Sequence, residues 1–167
     1  MEHVILIGMM GAGKTTVGRV ISHITGRNFI DIDQLIERQR GMSIFEIITK
    51  QGEGYFRKIE KDVILSLSPK SPCVISTGGG AVMDNDVFNF FKSIGKIVYL
   101  KASPDILYKR TSNVEVRPLL ENGDRLSILQ DLLKKREPRY HEANIIIETD
   151  NSMPTEVADK IIKRLKL

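Results

Sequence analysis

Five short stretches of the chain are almost wholly apolar: residues 4–7, 29–32, 73–76, 96–100 and 145–148. Most are continuous Val/Ile/Leu runs rather than alternations of apolar and polar residues. Continuous runs of this length predict parallel strands covered on both faces. Between them lie longer segments with helical spacing and readable ends. Residues 14–24 form one, stopping at Gly26, a natural left-handed C-terminal residue. Ser43-Ile44-Phe45-Glu46 is a capping box that opens a short helix ending near Gly52. Residues 55–67 carry Phe56, Ile59, Val63, Ile64 and Leu67 on one helical stripe. Ser103-Pro104 reads as N-cap and first helical residue of another helix, and residues 126–136 and 155–165 complete the set. Strands alternating with helices predict a three-layer α/β domain: a five-stranded parallel sheet flanked by helices.

Residues 113–124 break this rhythm, with Pro118, Gly123 and little periodicity. A loop of a dozen residues in a compact domain is usually functional or disordered. The embedded Arg117-Pro118-Leu119-Leu120 favours a lid over an idle surface loop.

Length and composition narrow the class further. The 167 residues fit one domain, spanning 1–167, and can bury a sizeable core without disulfides. A lone Cys73, inside the apolar run Cys73-Val74-Ile75, permits no internal disulfide and reads as a buried, inert thiol. No apolar run approaches the length of about 18–20 residues that spans a bilayer. The first residues enter a strand directly, without signal-peptide features. A cytoplasmic monomer is the resulting expectation. The net charge of +4 is mild, its basic residues are dispersed, and Trp is absent. That argues against a nucleic-acid surface and suits a site for small anions.

The chemistry begins at Gly8-Met9-Met10-Gly11-Ala12-Gly13-Lys14-Thr15, which fits G-x-x-x-x-G-K-[ST] between a strand and a helix. Polyphosphate binding needs several donors converging at short range. The glycines let successive N–H groups turn inward, and the following helix N-terminus favours the anion. Lys14 adds a point charge for the β- and γ-phosphates, and the Thr15 hydroxyl suits Mg²⁺. The loop implies ATP-type nucleotide binding but leaves switch, motor and small-molecule kinase open.

The later strand ends carry the acceptor candidates. Asp31-Ile32-Asp33 ends the second strand, and a spacing of two would place both carboxylates on one face. One could serve a Mg²⁺ shell and the other accept a proton from a hydroxyl; helix capping is the plain alternative. Arg57 and Glu60 lie three apart on a helix, so the Glu can orient the Arg toward a carboxylate or merely pair with it at the surface. The third strand runs into Gly78-Gly79-Gly80, either a wall for close ligand approach or a tight turn. Arg117 is placed to neutralise a transferring phosphoryl group. Arg136 precedes Glu137-Pro138-Arg139-Tyr140, and Pro138 predicts the end or a kink of that helix.

In order along the chain, Gly8–Thr16, Asp31-Ile32-Asp33, Phe56-Arg57-Lys58-Ile59-Glu60, Gly78-Gly79-Gly80, Arg117-Pro118-Leu119-Leu120 and Arg136-Glu137-Pro138-Arg139-Tyr140 resemble the shikimate kinase family. The resemblance covers nearly the whole chain. It implies a P-loop kinase fold with a lid at about 113–124 and an acceptor-binding segment at about 33–67. It implies transfer of the ATP γ-phosphate to the 3-hydroxyl of shikimate, giving shikimate 3-phosphate and ADP on the route to chorismate and aromatic amino acids. The nucleotide would be held by Gly11, Ala12, Gly13, Lys14, Thr15, Thr16, Arg110, Arg117 and Pro154. Shikimate would meet Asp33, Arg57, Gly78, Gly79, Gly80 and Arg136. Catalysis would rest on Asp33, Lys14 and Arg117. Mg²⁺ would be held by Thr15 and, through water, Asp31. Some family members carry an Arg shortly before the proline, where this chain has Asp150-Asn151-Ser152-Met153.

Rival readings fit less well. A gluconate kinase would share the phosphate loop and lid but not the ordered Asp33, Arg57, Gly79, Arg136 set. A nucleoside monophosphate kinase needs a larger acceptor region than residues 34–67. A GTPase switch needs an Asn-Lys-x-Asp stretch, where this chain has Lys101-Ala102-Ser103-Pro104-Asp105.

Overall fold

The structure, a computed structural model, describes residues 2–112 and 124–167. The five apolar runs become β1 (His3–Ile7), β2 (Asn28–Asp31), β3 (Cys73–Ser76), β4 (Gly95–Lys101) and β5 (Ile145–Glu148). They form one sheet in the order β2-β3-β1-β4-β5, with every pairing parallel. Val4, Ile5, Leu6 and Ile7 are at most 1% exposed, which explains why their run is continuous. Truncating one of them, such as Ile5, would cost about 2–5 kcal/mol.

The helices flanking this sheet are α1 (Lys14–Thr25), α2 (Ile32–Arg40), α3 (Ile44–Gln51), α4 (Glu53–Leu65), α5 (Asn85–Ile94), α6 (Pro104–Thr111), α7 (Arg125–Tyr140) and α8 (Pro154–Leu165). The architecture is the expected α/β sandwich. Helix α1 closes on Gly26 in the left-handed conformation (φ 68°). The Ser43–Glu46 capping box is formed in both directions, at 3.1 and 2.9 Å. Cys73 is buried and unpaired by any disulfide. Among the described residues no helix is long and apolar enough to cross a membrane.

Three local expectations change. Helix α5 was not legible as a helix, although Asp84 caps it through the N–H groups of Asp86 and Val87 at 2.8 and 3.2 Å. Its aromatic and Asn-rich sequence has modest helix propensity; burial of Val87, Phe88 and Phe91 holds it in place. Helix α7 runs through Pro138 to Tyr140. The proline falls in the last turn, so little helix lies beyond it, and buried Tyr140 together with Arg139 stacked on Phe88 (4.7 Å) anchors that end. Finally, β2 stops at Asp31. Asp33 therefore lies in the first turn of α2 rather than on a strand.

Because all strands are parallel, their carboxyl ends meet along one edge. The loops after β1, β2, β3 and β5 emerge there together. This brings Gly8–Lys14, Asp31–Asp33, Thr77–Gly80 and Thr149–Pro154 to one rim, where ligands bind in open α/β sheets.

Candidate active site

The loop between β1 and α1 has the shape its glycines suggest. Gly8 (φ 140°) and Gly11 (φ 82°) occupy backbone conformations that disfavour side chains, and a Cβ at Gly8 would lie 2.6 Å from the Leu100 carbonyl. Helix α1 has Gly13 as its N-cap, which offers no side-chain cap. Its first N–H groups are thus left to a ligand. Lys14 donates from Nζ to the carbonyls of Gly8 and Met9, both at 2.8 Å, so its ammonium is held over the loop. The loop lines a cavity of about 560 Å³. Gly11, Ala12, Gly13, Lys14, Thr15, Thr16, Arg110 and Pro154 all face it.

Asp31 serves two purposes in this structure. One oxygen caps α2 by accepting from the Gln34 N–H at 3.2 Å; the other accepts from the Thr15 hydroxyl at 2.7 Å. Capping and site function are therefore compatible. Arg110 donates to the Thr149 carbonyl (2.8 Å), the Thr149 hydroxyl (3.1 Å) and the Gly11 carbonyl (3.4 Å). It ties the phosphate loop to the loop after β5.

A second cavity of about 250 Å³ adjoins the first. Asp33, Arg57, Gly78, Gly79, Gly80 and Arg136 all line it. Met10, Asp33, Gly78 and Gly79 line both cavities and so mark their junction. The glycines here are required by proximity. A Cβ on Gly78 would sit 2.5 Å from Glu60 Oε1 and 3.3 Å from Asp33 Oδ1; one on Gly80 would sit 2.4 Å from Arg57 Nη2.

The two arginines are held differently. Arg57 donates to Glu60 Oε2 at 2.6 Å, more weakly to Glu53 at 3.4 Å, and stacks on Phe56 at 5.1 Å. Glu60 is only 1% exposed, so this pair is no solvated surface contact. Burial pushes the Glu60 carboxyl up, while the Arg57 charge pulls it back. Arg136 is 7% exposed, and among the described residues no carboxylate ion-pairs with it. Its Nη1 rests 3.9 Å from the Met9 sulfur. Glu60 acts on this buried guanidinium through space and without a direct ion pair, which suits a ligand that supplies an anion.

A family model for shikimate kinase matches residues 10–166. The shikimate kinase of Thermodesulfovibrio yellowstonii is 41% identical, covering 98% of this chain and 94% of that protein. The chain belongs to the shikimate kinase family. Solved members of the family share its shape. The Acinetobacter baumannii shikimate kinase in complex with shikimate matches with a TM-score of 0.95 at 39% identity, covering 99% of this chain and 93% of that one. The Aquifex aeolicus shikimate kinase matches with a TM-score of 0.82 at 34% identity, covering 98% and 96%.

Family membership leaves some site residues outside the sequence reading. Ile44, Phe45, Ile48 and Phe56 form an apolar side of the smaller cavity. In sequence Phe56 stands in the motif beside Arg57, while Ile44, Phe45 and Ile48 carry no chemical signature. Thr149 and Ser152 line the nucleotide-side cavity and carry no motif. Tyr140 reaches the glycine turn and was legible only as a neighbour of Arg136. Arg117 and the lid segment up to Gly123 lie outside the described residues; Asp124 caps α7 through the Leu126 N–H at 3.2 Å.

Proposed function

We propose that this chain is an ATP-dependent shikimate kinase, transferring the γ-phosphate to the 3-hydroxyl of shikimate and releasing shikimate 3-phosphate and ADP. The observation that carries the reading is the position of Asp33. It lines both the phosphate-loop cavity and the smaller cavity that holds Arg57 and Arg136. An acceptor whose carboxylate meets the two arginines would present a hydroxyl to Asp33 at the mouth of the nucleotide cavity. The product then enters the route to chorismate and aromatic amino acids.

Each residue has a role that follows from its surroundings. Gly11, Ala12, Gly13 and Thr16 offer backbone donors to the phosphates, and Lys14 neutralises charge on the β- and γ-oxygens. Arg110 and Pro154 flank the base. Arg57, oriented by Glu60, and Arg136 fork onto the acceptor carboxylate. The Gly78–Gly80 turn lets the backbone approach the ring. Asp33 accepts the 3-hydroxyl proton as the new O–P bond forms and the bond to the ADP oxygen breaks. Exclusion of water from the junction favours transfer over hydrolysis.

The Thr15 hydroxyl and the Asp31 carboxylate are hard oxygen donors 2.7 Å apart beside the phosphate loop, a set that suits Mg²⁺. Thr15 would ligate the ion directly and Asp31 through water. When bound, Mg²⁺ would supply charge neutralisation to the polyphosphate. We read residues 1–167 as one kinase unit with its acceptor segment at 33–67, acting in the cytoplasm as a monomer.

Coupled ADP release, at saturating ATP, tests the reading with shikimate and gluconate as alternative acceptors. Shikimate-dependent turnover is expected. Turnover with gluconate and none with shikimate overturns the acceptor assignment.

A further inference from the structure

On the reading above, the acceptor must meet a side chain from α7 with its carboxylate and a backbone turn after β3 with its ring at the same time. These two parts are far apart in sequence, and something must fix their separation. Tyr140 lies one helical turn beyond Arg136, on the same face of α7. It is fully buried, and its hydroxyl donates to the Gly79 carbonyl at 2.5 Å. Arg136 and Tyr140 also share one soft neighbour, the Met9 sulfur, at 3.9 and 3.7 Å. The Tyr140 ring packs on Tyr99 with centroids 5.0 Å apart. The space is tight from the other side too: a Cβ on Gly79 would lie 3.1 Å from Arg136 Nη1 and 3.3 Å from the Gly8 carbonyl.

These contacts assign a role to a residue that lines neither cavity. We infer that Tyr140 is a positioning residue: its hydroxyl bonds the Gly79 carbonyl and so fixes the glycine turn against α7, setting the distance between Gly79 and Arg136 across which the acceptor is held. Burial raises the phenol to about 12, so it stays protonated and donating through the neutral range. Met9 offers a thioether where a carboxylate would neutralise Arg136.

The inference rests on shikimate being the acceptor, so wild-type turnover with shikimate is established first; its absence would defeat that reading and not this one. Tyr140→Phe then removes the hydroxyl and keeps the ring pair. The expected result is a rise of about tenfold in KM for shikimate, with KM for ATP within about twofold of wild type. Tyr99→Phe, which strips a hydroxyl from the same ring pair without touching Gly79, is expected to leave both KM values unchanged. A parallel rise in both KM values for Tyr140→Phe overturns the inference. So does an unchanged KM for shikimate, or the same shift in Tyr99→Phe. If Tyr140→Phe does not fold, a trifluorotyrosine installed at position 140 keeps the ring and hydroxyl but ionises at lower pH. KM for shikimate should then climb with pH where wild type is flat; a profile that follows wild type overturns the proposal.

Discussion

Substituting Gly80 with alanine places a methyl group in the middle of the Arg57 guanidinium. The backbone there (φ −93°, ψ −12°) accepts alanine readily, so the effect is one of space. The new Cβ would lie 2.4 Å from Nη2, 2.6 Å from Cζ and 2.9 Å from Nη1. Ordinary contact begins near 3.4 Å, so the guanidinium must withdraw by about 1 Å. Arg57 is the tip of a flexible side chain, and its withdrawal leaves the fold intact. It also strains the 2.6 Å bond to Glu60 and takes the fork away from the acceptor. Loss of one charge-assisted hydrogen bond is worth about 1.5–3 kcal/mol, or about tenfold to a hundredfold in affinity. Steady-state ADP release with varied shikimate at saturating ATP should show that rise in KM, and varied ATP should show none. A KM for shikimate within about twofold of wild type would refute the placement of Arg57 beside the acceptor. A change confined to ATP would do the same.

Three further outcomes follow from the geometry. Asp33→Asn should lower kcat by at least about a hundredfold while ADP binding, measured by calorimetry, is kept; near-wild-type turnover would remove Asp33 from the chemistry. Thr15→Val deletes the hydroxyl bonded to Asp31 and should raise the Mg²⁺ concentration needed for half-maximal activity, leaving KM for shikimate alone; an unchanged Mg²⁺ dependence would count against that ligand. Stability should respond to His3, which is 5% exposed and accepts the Cys73 N–H at 3.0 Å. Burial, aided by the N-terminal charge and Arg27, lowers its pKa from the ordinary 6.5. The unfolded chain therefore takes up the proton first, and the contribution of His3 is full above that value and lost as pH falls through it. Melting temperature should drop between about pH 7.5 and about pH 5.5. His3→Gln should flatten the profile over that window, and an identical profile in the variant would discount His3.

The phosphate loop was legible because each residue type has a local backbone reason: Gly8 and Gly11 are strained for any side chain, and Lys14 opens the helix. The strands were legible from uninterrupted apolar runs, which only burial on both faces explains. What the sequence hid was mostly long-range. Asp31 reads as a site residue with capping as the plain alternative; in the structure it caps α2 and also accepts from Thr15 beside the phosphate loop, a contact no local pattern reveals. The pattern of Arg57 and Glu60 looks like a surface pair; burial of Glu60 under Gly78 makes it part of the site. Tyr140 and Gly79 meet across 61 positions, beyond any periodicity. The run through Pro138 is likewise decided by what anchors the far end of α7, not by local propensity.

The most direct test is a crystal structure with ADP and shikimate bound. The shikimate carboxylate should lie within hydrogen-bonding distance of both Arg57 and Arg136, and the 3-hydroxyl should face Asp33 and point toward the β-phosphate of ADP. Shikimate bound with its carboxylate away from these arginines, or with a different hydroxyl at Asp33, would contradict the proposed site.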